Sequence, residues 1–105
     1  METRPPENIA PRAVEGAFFF DPEDRIYADH FPGRPVVPGS VIIRAFMLAA
    51  KNLGAGGSAR AVRDFRFRKF ISPGEYPYRV EISGEGLKCS LFNDNSVVAT
   101  GMLVL

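Results

Sequence analysis

The chain of 105 residues contains one histidine and one cysteine, and these two side chains limit the chemistry it can do. His30 can exchange a proton near neutral pH, because the ordinary pKa of a histidine side chain is about 6.5. Cys89 has no second cysteine for an internal disulfide or a thiolate metal cluster. We therefore expect no metal site and no cofactor, and we interpret Cys89 and Met47 as core filling. A lone histidine is more often structural than catalytic, so the residues around His30 decide its role.

His30 opens a loop that leads into a helix. Residues 30–39 include three prolines, which lack a backbone N–H and disfavour both helix and paired strand. The next segment, Ser40 to Leu53, is rich in helix formers, begins with a serine suited to capping, and stops at Gly54. Its apolar side chains lie on nearly every face, which predicts a buried helix. The exceptions form one narrow polar line: Ser40, Arg44 and Lys51.

The remaining segments have the two-residue period of strands. Ala13–Phe20 predicts a strand that runs into an acidic turn, and Arg25–Ala28 predicts a short second strand. From residue 60 to the end, four strands joined by tight turns predict an antiparallel meander. The fold class is therefore α+β, with a curved antiparallel sheet of five to six strands around one central helix. We expect residues 1–12 to be a poorly ordered lead and residues 13–105 to form a single domain.

The charges are balanced overall but segregated along the chain. The chain contains 13 Lys and Arg residues and 12 Asp and Glu residues, which gives a net charge of +1. A chain with this charge has no general attraction to nucleic acid or anionic lipid, so an electrostatic partner must meet a local patch. The first residues contain no apolar run typical of a signal peptide or membrane anchor. We therefore expect a cytoplasmic protein that binds neither membrane nor nucleic acid.

Two longer motifs resemble a known family. The run HFPGRPVVPGSVIIRAF, from His30 to Phe46, resembles the signature of the 3-hydroxyacyl-[acyl-carrier-protein] dehydratases of type II fatty-acid synthesis. The run DFRFRKFISPGEYPYRVEI, from Asp64 to Ile82, is similar to the basic strand, proline-glycine turn and following strand of the same family. The resemblance extends over roughly residues 13–105. It implies the hotdog fold, in which a curved sheet wraps around a central helix.

The resemblance also implies site residues for a dehydration. That reaction needs a base for the α-proton, a donor for the departing hydroxyl, and N–H groups that stabilise charge on the thioester oxygen. His30 matches the family's catalytic base, and Gly39 matches the glycine whose N–H faces the thioester carbonyl at the helix start. Gly39 can equally be a helix-entry glycine, and both interpretations can hold together. Flanking residues would contact the substrate: Phe31, Pro38 and Ser40.

Position 44 departs from the family pattern. The family's helix presents a glutamate or aspartate to the active site at this position, whereas this chain presents Arg44. Arginine stays protonated, so it does not readily deliver and recover a proton, although it can hydrogen-bond a hydroxyl or hold an anion. Alternatively, Arg44 pairs with a carboxylate at a dimer interface. Asp29 is the nearest acid, but on an extended segment it would point away from its neighbour His30.

The basic strand implies a partner. In the resembled family such residues meet the acidic acyl carrier protein, which here assigns carrier-protein binding to Arg63, Arg66, Arg68 and Lys69. The alternation predicts Phe65 and Phe67 inward and the arginines outward. The same residues could form a solvated strand face with charges that protect an edge. No recognised nucleic-acid motif accompanies them.

Two hypotheses for the function follow. The first is a dehydratase-like protein that binds an acyl thioester, on a carrier protein or another carrier, in fatty-acid or related lipid or polyketide metabolism. Its activity would be weakened or altered by Arg44. The second is a non-catalytic hotdog protein that binds an acyl chain or acts as the partner subunit of an active homologue. We expect a homodimer or such a heteromer. A thioesterase is a third option, although Arg44 also removes the acid which that chemistry needs.

Overall fold

The computed structural model describes residues 13–29, 33, 35–51, 59–84 and 86–104, and within these ranges it contains five strands and two helices. The elements in chain order are β1 (Ala13–Phe20), α1 (Ile26–Asp29), α2 (Gly39–Ala50), β2 (Ala61–Phe67), β3 (Gly74–Ser83), β4 (Gly86–Asn93) and β5 (Ser96–Val104). The predicted α+β class, one main helix against an antiparallel sheet, is confirmed. The predicted lead, residues 1–12, lies outside the described residues.

The sheet has the order β1-β3-β4-β5-β2, and every pairing is antiparallel. Only β3, β4 and β5 form a meander, so the predicted four-strand meander is wrong for β2. The six residues between β2 and β3 do not close a hairpin. Such a segment can span about 20 Å, which is enough to cross the sheet. Its backbone is held along the way by Arg68 N–H to the Val98 carbonyl (2.8 Å) and by Val37 N–H to the Ile71 carbonyl (2.9 Å).

The segment predicted as a second strand is the short helix α1. Its start is fixed by Asp24, whose carboxylate accepts the Ile26 N–H at 3.0 Å and whose carbonyl accepts the Tyr27 N–H at 3.1 Å. The carboxylate of Asp21 likewise accepts the Glu23 N–H, at 2.8 Å. Aspartates placed this way favour turns and helix starts. This local capping outweighs the strand preference of isoleucine and tyrosine.

Helix α2 buries one face only. Ile42, Phe46, Ala49 and Ala50 are buried, whereas Arg44 is exposed and Leu48 is 53% exposed. The expectation of a helix buried all round is therefore wrong for this chain, because a single sheet layer covers only one side. The helix starts at Gly39 with Pro38 as its N-cap, so Ser40 does not cap it. It ends at Ala50 with Lys51 as its C-cap, and the predicted end at Leu53 lies outside the described residues.

The core lies between α2 and the inner face of the sheet. Phe46 is fully buried, and its ring meets Phe18 at 5.0 Å between centroids and Tyr78 at 6.2 Å, both edge to face. Cys89 is fully buried as well, and desolvation raises the pKa of its thiol to about 12. The prediction of Cys89 as core filling is confirmed. None of the helices in the described ranges has the length and hydrophobicity to span a bilayer.

Candidate functional site

The start of α2 carries two backbone N–H groups without an acceptor in the described part of the chain. Pro38 has φ −63° and ψ 147°, and its carbonyl accepts the N–H groups of Val41 (3.0 Å) and Ile42 (3.3 Å). The N–H groups of Gly39 and Ser40 precede these, and no side chain caps them. Unpaired N–H groups at a helix start carry partial positive charge. Gly39 is therefore placed where the resemblance requires a carbonyl-binding N–H.

An aromatic ring lies against the backbone of Gly39, in the space that a side chain would take. A Cβ at position 39 would lie 2.9 Å from Cζ of Phe67, closer than real Cβ contacts. Phe67 in turn stacks on Phe65, with ring centroids 6.0 Å apart. Both rings lie on the inner side of β2, as the alternation predicts, although Phe67 stays 40% exposed. The β2 strand thus builds one wall beside the helix start.

A cavity of about 280 Å³ lies beside this wall. Lys69 and Phe70 sit at its rim, and Phe70 is 85% exposed. The lining includes the N-cap and the first helical residue: Val36, Val37, Pro38, Gly39, Ile42, Phe67, Lys69, Phe70 and Ile71. An apolar cavity lined by Gly39, whose N–H has no acceptor in the described part of the chain, suits an acyl thioester, whose carbonyl oxygen needs a donor and whose chain does not. Ser40, predicted to contact the substrate as well, lines the groove beside Arg44 instead.

Arg44 lies on the uncovered side of α2, between two grooves. One groove of about 350 Å³ is lined by Ser40, Ile43, Arg44, Met47, Leu48, Lys51 and Ala59. The other, of about 280 Å³, is lined by Phe18, Phe19, Phe20, Asp21, Asp24, Tyr27, Val41, Arg44, Ala45 and Leu48. Arg44 and Leu48 form the ridge that both grooves share. Within one chain, Arg44 therefore points away from the sheet and toward whatever covers this side of the helix.

The second groove holds Tyr27, whose hydroxyl has a pKa above its usual value. Burial raises this pKa first, and the neighbouring Asp24 and Asp21 raise it further. The phenol therefore stays protonated and can donate a hydrogen bond. The remaining members of the predicted site, His30 and Phe31, lie outside the described residues. The suggested substitute acid, Asp29, is the last residue of helix α1, so the alternation of an extended segment does not decide where it points.

The four cations assigned to carrier binding do not lie together. Arg66 and Arg68 line a groove of about 360 Å³ on the outer face of the sheet, whereas Lys69 lines the cavity beside Gly39. Sequence reasoning missed Lys88, which lines the outer groove from β4. A signal for it was available, because Lys88 stands between buried Leu87 and Cys89 and must face outward. Among the described residues, no group of three or more acidic, histidine or cysteine side chains could hold a metal ion.

The fold and the comparisons with known proteins together identify a dehydratase-like hotdog protein. The model of the ApeI-like family, described as ApeI dehydratase, matches residues 7–101. The chain therefore belongs to the ApeI-like dehydratase family. The confirmed family agrees with the resemblance stated for the two sequence motifs.

Curated relatives point in the same direction. The chain is 36% identical over 61 residues to the 3-hydroxyacyl-[acyl-carrier-protein] dehydratase FabZ of Novosphingobium aromaticivorans. The aligned region covers 49% of this chain and 39% of the relative. It is 37% identical over 60 residues to the FabZ of Lactiplantibacillus plantarum, covering 50% and 41%. These matches span about two fifths of the length of those relatives.

Solved structures share the fold. A chain of the dehydratase heterocomplex ApeI:P from Xenorhabdus doucetiae superposes with a TM-score of 0.79 at 22% identity, covering 93% of this chain and 90% of that one. An uncharacterized protein from Erwinia carotovora subsp. atroseptica superposes with a TM-score of 0.70 at 21% identity, covering 88% and 81%. At these identities the likeness supports the fold alone.

Proposed function

We propose that this chain binds 3-hydroxyacyl or enoyl thioesters at the start of α2 and acts as a subunit of a 3-hydroxyacyl-thioester dehydratase. The observation that carries the proposal is the position of Gly39, whose unpaired N–H opens the helix beside an apolar cavity of about 280 Å³. The family membership supports it, as do the dehydratase activities of the curated relatives. The bond to the carbonyl would draw charge onto the thioester oxygen as the α-proton leaves.

In the proposed reaction His30 takes the proton from C2 of the 3-hydroxyacyl group. The electron pair of that C–H bond forms the C2–C3 double bond, and the C3–O bond breaks. The departing hydroxyl needs a proton to leave as water, and in the resembled family a carboxylic acid on the helix supplies it. Here Arg44 stands at that position and remains a fixed cation. Assemblies of this chain alone therefore lack a carboxylic acid at this position.

A second candidate is a heteromeric enzyme in which a homologous subunit provides the acid. Arg44 favours it, because this side chain is exposed on the uncovered side of α2, where a partner could face it. The structural neighbour from Xenorhabdus doucetiae belongs to a dehydratase heterocomplex, which supports the same idea. In such an assembly this chain would contribute His30 and Gly39 to one site.

The test is hydration of a short enoyl thioester by the purified chain, with its molar mass checked by light scattering. We expect a dimer of about twice 11.5 kDa with weak or no activity, because loss of a positioned acid costs about 10²- to 10⁴-fold in rate. Arg44→Glu should raise the rate, and adding His30→Ala should abolish the gain. Arg44→Gln is the control, because it removes the cation without supplying an acid. Robust wild-type turnover that survives His30→Ala would contradict the proposal.

A further inference from the structure

The proposed dehydration lacks a proton donor at position 44. Arg44 is a fixed cation, so the departing hydroxyl must take its proton from another group. That group should lie near Arg44, because the family's acid stands at this position. The two grooves that meet at Arg44 supply the candidates within the described part of the chain. Their lining residues with an acidic or exchangeable proton are Ser40, Lys51, Asp21, Asp24 and Tyr27.

Four of these candidates are poorly suited to the role. The aliphatic hydroxyl of Ser40 is a much weaker acid than a phenol. Lys51 is the C-cap of α2 and lies two helical turns, about 10 Å, beyond Arg44. The two aspartates are exposed, and the carboxylate of each already accepts a backbone N–H at the turn before α1. Tyr27 remains as the donor.

Tyr27 is a buried side chain whose hydroxyl has no partner. The residue is 7% exposed, and its hydroxyl forms no hydrogen bond within the described part of the chain. The hydroxyl of Tyr76, by contrast, donates to the Ser72 carbonyl at 2.7 Å. No fully buried side-chain oxygen or nitrogen of the described residues lacks a partner, so the Tyr27 hydroxyl opens onto the groove. A ligand in this groove would complete its hydrogen bonding.

The groove that holds Tyr27 also holds Arg44, and most of its lining is apolar. Helix α2 supplies one wall through Val41, Ala45 and Leu48, and the phenylalanine rings at the end of β1 supply the other. Apolar walls lower the local dielectric constant, so opposite charges attract one another more strongly than in water. The guanidinium group of Arg44 is therefore suited to stabilise a phenolate that forms in this groove.

We propose that Tyr27 is a catalytic residue that donates the proton to the departing hydroxyl, with Arg44 stabilising the phenolate. As His30 takes the C2 proton and the C3–O bond breaks, the phenolic O–H bond breaks toward the leaving oxygen, and water departs. His30 then carries one extra proton and Tyr27 one fewer, and exchange with solvent restores both. The inference rests on the proposed function, because it supplies the donor which that reaction lacks.

The pKa of Tyr27 is compatible with this role. Burial raises it above its usual value, and the charges of Asp24 and Asp21 raise it further. The phenol therefore keeps its proton at neutral pH until the C3–O bond breaks. Hydroxide is a far stronger base than a phenolate, because the pKa of water is about 15.7, so the transfer is favourable. A carboxylic acid is the stronger acid, so Arg44→Glu should still raise the rate.

The test is a double-mutant cycle on hydration of the crotonyl thioester of N-acetylcysteamine, because a catalyst speeds both directions of a reaction alike. Tyr27→Phe should lower the weak wild-type kcat/KM about 10²-fold, the lower end of what a positioned acid contributes. In the Arg44→Glu chain the same change should have little effect, since the new carboxylic acid then supplies the proton. Tyr78→Phe is the matched control, because it removes a phenol that lines neither groove, and it should leave the rate unchanged.

Three results would overturn the role of Tyr27. One is an equal loss of rate from Tyr27→Phe in both backgrounds, which would indicate a structural effect. Another is a loss from Asp24→Asn with none from Tyr27→Phe, which would move the donor to the turn. A third is undetectable wild-type hydration beside an active Arg44→Glu chain, because the wild type would then have no donor. Failure of the proposed function is distinguishable from all three, since the Arg44→Glu chain itself would be inactive.

Discussion

The two edges of the sheet differ in whether their charged side chains form ion pairs. At the β1 edge the register with β3 is regular from Ala13 to Phe20, and Arg79 is neutralised by Glu15 and Glu81. At the β2 edge the register with β5 is shifted, and the arginines have no such partners in the described chain. In this chain the regular register sets Glu15 beside Arg79, whereas the bulge in β2 places Arg63 and Arg66 on one face of the sheet. The charges near the β1 edge are therefore paired with one another, whereas the arginines of β2 have no ion pair in the described part of the chain.

Two glycines allow the two edges to be compared directly. A Cβ at Gly101 would lie 2.2 Å from the Phe65 ring, inside the core beside the bulge. A Cβ at Gly16 would lie 2.9 Å from the Tyr78 ring, near its hydroxyl end. Gly101→Ala should therefore lower the free energy of unfolding by about 3 kcal/mol, and Gly16→Ala by about 1 kcal/mol. Chemical denaturation measures both, and equal losses would contradict the tighter packing at Gly101 of β5 than at Gly16 of β1.

The bulge itself is tested at Asp64. Its φ of 58° lies in the left-handed region, which aspartate and asparagine tolerate and β-branched residues do not. Asp64→Val should cost about 1 to 2 kcal/mol of unfolding free energy, whereas Asp64→Asn should leave it unchanged. A valine variant as stable as the wild type would show that the bulge is not under this constraint.

The smallest effect is expected from removing single charges. Arg79→Gln breaks two exposed ion pairs, so the melting temperature should fall slightly, and the loss should shrink at high salt. The hydrogen bonds and charges of Glu15 and Glu81 also raise the pKa of Arg79, so its guanidinium group stays charged. Arg66 has no ion-pair partner in the described part of the chain, so Arg66→Gln should leave the melting temperature unchanged. A larger loss for Arg66→Gln would contradict this lack of a partner.

Much of the fold could be predicted from the sequence, because its signals are local. The period of two after residue 60 and the run of helix formers after Gly39 indicated the strands and α2. Helix α1 was missed because its Ile-Tyr pair favours a strand, while the deciding bond, from Asp24 to the Ile26 N–H, depends on loop geometry. The neighbour of β2 was missed because pairing with β5 depends on the whole sheet closing over α2.

The candidate site was predictable to a smaller extent. The proline-glycine motif indicated the helix start at Gly39, but not the ring of Phe67 against it, since that contact joins distant parts of the chain. The two-residue alternation along β2 predicted that its basic residues would lie on one face, but Lys69 lines the cavity beside Gly39 instead. Beside the bulge at Asp64, the ring of Phe65 packs against Gly101 of β5, and no pattern within β2 reveals a glycine on another strand.

Cys89 makes the protein a convenient background for site-specific labelling. The chain has no other cysteine, and this thiol is fully buried with a pKa of about 12. Thiol reagents attack the thiolate, so the folded protein should resist them at neutral pH. A cysteine introduced at an exposed position would then carry a fluorophore or spin probe alone. The native thiol would react only when the sheet opens, and its labelling rate would report that opening without any added probe.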